Sequence, residues 1–241
     1  MPATLSGMDE LWTCWLGTVE YREALALQER VRAARREELV PDVLLLLEHP
    51  PVYTVTRRTP AEALPFAPAW YAERGIDIVE TDRGGRLTYH GPGQLVGYPI
   101  MRVAEVLPFV RAMERAVVAA IRDSGVDAHA RSDDGPEYVG AWVEDRKIAS
   151  IGIRLKGGVT KHGLAINVVN DLAPFDWAVA CGLPGVRMTS LAVEARACRT
   201  DPVACLRKDL GRRFAEEFGR RQRLVTPHRL HAALAALPAA A

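Results

Sequence analysis

The chain has 241 residues, 49% apolar and 25% charged, with 31 Lys and Arg against 30 Asp and Glu and a formal net charge of +1. That is ordinary globular composition, large enough for one sizeable core or two small ones. The near-neutral balance excludes the broad basic footprint of a nucleic-acid binder, and no apolar run approaches the roughly 18 residues of a membrane span.

In chain order, residues 12–18 (WTCWLGT) alternate bulky groups and predict a first strand. Residues 21–38 carry Leu25, Leu27, Val31 and Ala34 at helical spacing and predict an amphipathic helix. The run 42–48 (DVLLLLE) is apolar without interruption, as in a central strand buried on both sides. His49, Pro50 and Pro51 break it, and 52–56 (VYTVT) resumes strand character. A Pro-rich loop over 59–68, a short helix over 70–74 and a strand over 76–80 lead to Arg83. The stretch 83–98, RGGRLTYHGPGQLVGY, holds five of the nineteen glycines and turns twice around a short apolar run, the pattern of a strand edge wrapped about a ligand. Residues 108–124 predict a strong helix, with Pro108 in its first turn and Gly125 just past its end. A strand is predicted over 126–130, then a hairpin of 137–143 and 147–155, then a strand over 159–167 interrupted at Gly163. Thr189 and Ser190 are placed to cap a helix running to Ala197, Asp201 caps another reaching Arg220 with Pro202 at its first position, and the Ala-rich stretch after about 225 reads as a short helix that frays. Hairpins mixed with strong helices, without regular βαβ alternation or a linker, predict one α+β, or mixed α/β, domain over 1–241, with its core over about 12–220.

Cys14, Cys181, Cys198 and Cys205 are widely spaced with no CxxC pair, and the first twelve residues lack the basic and apolar regions of a secretory signal. The expectation is a reduced, cytoplasmic protein with no metal site and no disulfide framework. Cys181 sits in a Gly- and Pro-punctuated turn, ACGLPG, where a thiol can face a cleft, and Lys147 opens an otherwise apolar strand. An ammonium beside a thiol favours the nucleophilic thiolate, and the pair can pass one proton between nucleophile and incoming amine. His90-Gly91 and His162-Gly163 keep a Cys–His pair open as a rival.

Five ordered motifs then add up. Residues 48–54 (EHPPVYT), 83–98, 140–152 (GAWVEDRKIASIG), 160–167 (TKHGLAIN) and 180–182 (ACG) resemble the octanoyltransferases of lipoate biosynthesis over more than half the chain. Ala180 and Thr56 depart from the usual proline and glycine, which bears on loop geometry and removes no reactive group.

The resemblance implies a mixed β-sheet flanked by helices, like the catalytic domain of biotin and lipoate protein ligases. It implies Cys181 as nucleophile toward octanoyl-acyl carrier protein and Lys147 as its partner, with no cofactor. The acceptor would be a lysine on a lipoyl domain, of 2-oxoacid dehydrogenase E2 subunits or the glycine-cleavage H protein, and the enzyme a monomer. Acyl and thioester contacts would come from Arg83, Gly84, Gly85 and Arg86, then Leu87, Thr88, Tyr89 and His90. Ser150, Ile151 and Gly152 would join from the Lys147 strand, and Gly163, Leu164 and Ala165 from the next, with His162 in a positioning role. The alternative is an ATP-dependent lipoate or biotin-type ligase on the same fold, which has no use for a cysteine nucleophile.

Overall fold

The computed structural model describes residues 9–178, 185–195 and 200–237. Among these residues the strands form two sheets. The larger has eight strands: β1 (Glu10–Thr18), β2 (Asp42–Glu48), β6 (Gln94–Ile100), β7 (His129–Ala130), β8 (Gly140–Val143), β9 (Arg146–Lys156), β10 (Val159–Asn167) and β11 (Arg221–Val225). Their order across the sheet is β11-β1-β2-β6-β10-β9-β8-β7, parallel on the β1 side and antiparallel beyond β2. The smaller sheet is β4 (Asp77–Glu80), β3 (Val52–Val55) and β5 (Thr88–His90), in that order.

The DVLLLLE run is β2, and helices cover both of its faces. Alternation along the strand turns Leu44 and Leu46 into one core with α3 (Val106–Arg122) and α5 (Pro202–Glu217). Val43, Leu45 and Leu47 enter the other, with α1 (Tyr21–Arg36) and α6 (Pro227–Leu234). The remaining helices are short, α2 (Pro68–Ala72) and α4 (Leu191–Glu194). A mixed sheet between helices is the architecture that the sequence predicted.

Several details differ. The buried face of α1 is Tyr21, Ala24, Gln28, Val31 and Ala34, while Leu25 and Leu27 are half-buried at its margins. Of the strand over 126–130 only His129–Ala130 pairs, and the hairpin arm expected from 137 begins as a 3-10 turn, Pro136–Tyr138, before β8. β10 is continuous through Gly163, which pairs with Gly152, although His162 beside it has a φ of 59°. Helix α5 stops at Glu217, and β11 follows as an edge strand parallel to β1. The short helix expected after 225 is α6, which Thr226 caps and whose Leu230 and Leu234 are buried against the sheet.

Candidate active site

β6, β9 and β10 bring their middles together under the β4–β5 connection, and a cavity of about 360 Å³ opens there. Gly84 to Leu87 roof it, Ser150 to Ile153 of β9 and His162 to Ala165 of β10 form its walls, and Val106, Leu107 and Val110 of α3 form a lip. Leu107 is 66% exposed, so the lip is apolar and meets solvent.

Two glycine contacts shape these walls. A Cβ on Gly163 would lie 2.0 Å from the Gly97 carbonyl oxygen, and one on Gly152 would lie 2.6 Å from that of Gly84. Real Cβ atoms do not approach a carbonyl oxygen so closely, so these pairs set how near the strands and the roof come.

Arg83 fixes the roof. Its guanidinium donates to the Thr54 hydroxyl and carbonyl and to the carbonyls of Gly84 and Arg86. Asp82, one residue before, accepts from His162 Nε2 and from Lys161, both at 2.9 Å. Burial alone would raise the Asp82 carboxyl, but the two bonds outweigh it and hold the group well below the usual carboxylate range.

Lys147 lies farther down β9 and is only 2% exposed. β8 and β9 shift register between Ala141 and Trp142, which pair with Ala149 and Lys147 and leave Ile148 as an extra residue. Such a bulge re-aims the side chains beside it. Ile148 enters the core with α3, and Lys147 lines the cavity. Its Nζ donates to the Glu137 carbonyl at 3.3 Å and lies 5.2 Å from the centre of the Trp142 indole. No carboxylate pairs with it among the described residues. Where β10 has ended, residues 187–189 take its place: Lys147 N–H donates to Arg187, and Thr189 N–H donates to the Lys147 carbonyl.

At the level of Gly163 the cavity becomes polar, with Tyr21, His90, Tyr98 and His162 on its surface. His90 Nδ1 faces Gln94 Oε1 at 2.7 Å, while Gln94 Nε2 donates to Tyr89 and to Asn167, so Nδ1 carries the proton and Nε2 the lone pair. His49 is placed likewise, donating to the Val19 carbonyl and accepting from Tyr98. Burial pushes His90 down to about 3, and His49 and His162 down to about 4. All three are neutral imidazoles at neutral pH.

The structure thus gathers Lys147, His162 and the residues expected from stretch 83–90, β9 and β10 around one cavity, with one exception. Tyr89 points away, because alternation along β5 sends Thr88 and His90 to the cavity and Tyr89 into an aromatic cluster with Tyr53 and Phe175. Cys181, its neighbour Ala180 and also Cys198 lie outside the described residues. Tyr21, Tyr98, Pro136, Glu137, Val139, Ile153 and the α3 lip line the cavity without having been expected. Tyr98 ends the Gly-rich stretch and Ile153 follows Gly152 on β9, positions that were the hints; the others arrive from other elements.

A model of the lipoyl protein ligase A/B catalytic domain matches residues 20–212. An octanoyltransferase of Caldicellulosiruptor bescii is 44% identical, the match covering 74% of this chain and 79% of that protein. One from Solibacter usitatus is 40% identical over 85% of this chain and 90% of its own. Among solved structures, a bipartite lipoate protein ligase from Thermoplasma acidophilum, studied with its E2 lipoyl domain, superposes with a TM-score of 0.74 at 19% identity, over 94% and 90% of the two chains. That similarity shows the shared fold, and the curated relatives are close enough to decide the family. The chain belongs to the lipoyl protein ligase A/B catalytic-domain family, among its octanoyltransferases.

Proposed function

We propose that this enzyme transfers an octanoyl group from acyl carrier protein to a lysine of a lipoyl domain through a thioester on Cys181. The observation that carries the reading is the buried Lys147 ammonium on the wall of an apolar, glycine-lined cavity. The wider motif pattern and the kinship with octanoyltransferases support it.

In the first half-reaction the Cys181 thiolate attacks the donor's thioester carbon. The tetrahedral intermediate expels the carrier thiolate, which takes a proton from Lys147 Nζ. In the second, the acceptor's ε-amine attacks the enzyme thioester, its proton passes to Lys147, and the Cys181 thiolate leaves as the amide forms. Each step exchanges one acyl bond for another and moves one proton, so the balance needs no nucleotide. Leu87, Ile151 and Leu164 supply apolar walls for the chain. E2 subunits and the glycine-cleavage H protein are the proposed acceptors.

Intact-protein mass after mixing with octanoyl-acyl carrier protein, without ATP, tests this. Wild type is expected to gain one octanoyl group that hydroxylamine removes and that an added lipoyl domain discharges, and Cys181→Ser is expected to gain none. No adduct and no modified acceptor would overturn the reading, and modification only with ATP and free octanoate would establish the ligase alternative.

A further inference from the structure

Among the described residues Lys147 is held by backbone and by no carboxylate. Its one hydrogen-bond acceptor among the described residues, the Glu137 carbonyl, belongs to the 3-10 turn Pro136–Tyr138. That turn follows Gly135 and precedes Gly140, with φ of 145° and 141°, values that favour glycine. An arm of this kind needs clamps. Trp142 Nε1–H donates to the Tyr138 carbonyl at 2.8 Å, and Arg131 lies over both rings, 4.6 and 4.8 Å from their centres.

The remaining clamp is Glu114, from the middle of α3. One carboxylate oxygen accepts from Gly140 N–H at 3.0 Å. Among the described residues the other is buried without a hydrogen bond, with Arg111 at 3.7 Å. Glu114 is 1% exposed. A carboxylate so placed is costly for stability, and an apolar residue would pack into the same core. Gly140 in turn leaves room for the lysine: a Cβ there would lie 3.1 Å from Lys147 Cε and 2.2 Å from the Ala149 carbonyl oxygen. The Glu114 carboxylate thus fixes Gly140 where it leaves space for the stem of Lys147, and through the same arm bears on the acceptor of its ammonium.

We infer that Glu114 is a positioning residue for acyl transfer, which holds the 136–140 arm so that Lys147 Nζ is aimed into the cavity. This rests on the assignment of Lys147 as the proton carrier. Small displacements of a reacting group cost up to about a hundredfold in rate.

The test compares Glu114→Leu, Glu114→Asp and Glu114→Gln with Lys147→Met, measuring kcat, KM for octanoyl-acyl carrier protein, the pH dependence of kcat and thermal stability. Glu114→Leu and Glu114→Asp, which lose the bond or its reach, are expected to lower kcat about 10- to 100-fold, leave KM within about threefold and displace the pH profile. Glu114→Gln keeps an acceptor for Gly140 N–H and is expected to restore kcat to within about threefold of wild type. Should Glu114→Leu fail to fold, Glu114→Asp carries the comparison. The inference is overturned by wild-type kcat in Glu114→Asp, or by equal losses in Asp and Gln variants that follow stability alone. An inactive Lys147→Met beside fully active Glu114 variants refutes this inference only, whereas transfer retained by Lys147→Met overturns the Lys147 assignment and this inference with it.

Discussion

Gly152 and Gly84 meet backbone to backbone: Gly84 N–H donates to Ile153 at 2.9 Å, and its carbonyl occupies the space a Cβ on Gly152 would need. The roof therefore lies on β9 with no room for a methyl group. Gly152→Ala is expected to lift the roof at a cost of about 1–3 kcal/mol. If that strain falls on donor binding, kcat/KM for the acyl donor drops about 10- to 100-fold. Steady-state kinetics with the carrier-linked donor, read beside the melting temperature, would check it, and unchanged kinetics would show that the roof is free to move.

Lys147 is a buried cation without a paired carboxylate among the described residues, so its stem and its charge act separately. Lys147→Met preserves the stem and removes the charge. Stability is expected to hold or rise, while transfer falls by about 10²–10⁴. Thermal melts and single-turnover transfer measure the two effects on one sample.

His162 gives the opposite pattern. Its Nε2 is engaged by Asp82, and its Nδ1 is buried without a hydrogen-bond partner among the described residues. His162→Ala is expected to lose stability, through a cavity and a broken tie to the roof, yet to keep measurable transfer. If His162→Ala were inactive and Lys147→Met active, the Cys–His arrangement would replace the Cys–Lys one.

Asn167 ties the two ends of the site together. Its side chain accepts from Gln94 and Asn170 and donates to the Thr189 carbonyl, and Thr189 N–H in turn bonds the Lys147 carbonyl. Asn167→Ala strands the groups that bonded it, each at about 1–3 kcal/mol. Urea unfolding is expected to show a loss of about 2–4 kcal/mol, and hydrogen exchange to quicken at Thr189.

The buried histidines make acid destabilising. Each has a folded value below its unfolded one of about 6.5, at about 3 for His90 and about 4 for His49 and His162. Below pH 6.5 the unfolded chain binds protons that the folded chain refuses, so stability falls with falling pH. Their contribution is present in full above about pH 6.5 and is lost as pH drops through 4 toward 3. Melting temperatures between pH 8 and 4 should be flat above 7 and decline below 6.5, and a rise on acidification would contradict the neutral assignment.

Much of the layout was legible because local signals agreed with the fold. β2 announced itself by an apolar run that only a strand covered on both faces requires, and α3 by its period with Pro108 and Gly125 at its ends. β6 escaped because QLVGYPI contains Gly97 and Pro99, which ordinarily argue against a central strand. Here Gly97 leaves room for the Leu164 side chain, 3.3 Å from where a Cβ would stand, and the Pro99 carbonyl is bonded by the Thr160 hydroxyl. β11 escaped because RQRLV is polar and largely exposed, and its pairing with β1 is a long-range choice. In the site, the motifs located the walls, but strand alternation at Tyr89 had to be read against them. Glu114 carried no local mark, since its role depends on Gly140, far along the chain.

The bulge beside Lys147 also bears on how this sequence can change over generations. Because Ile148 is the extra residue, the pairing of Trp142 with Lys147 fixes which of the two faces the cavity. Losing one residue from the Glu144–Asp145 turn without a compensating change would exchange them, sending the ammonium toward the core and an isoleucine to the site. That turn is exposed, but Glu144 holds a φ of 53° and Asp145 accepts from Arg187, so its residues are constrained in kind as well as in number. Divergence in the length of this hairpin should therefore mark descendants that have abandoned the chemistry.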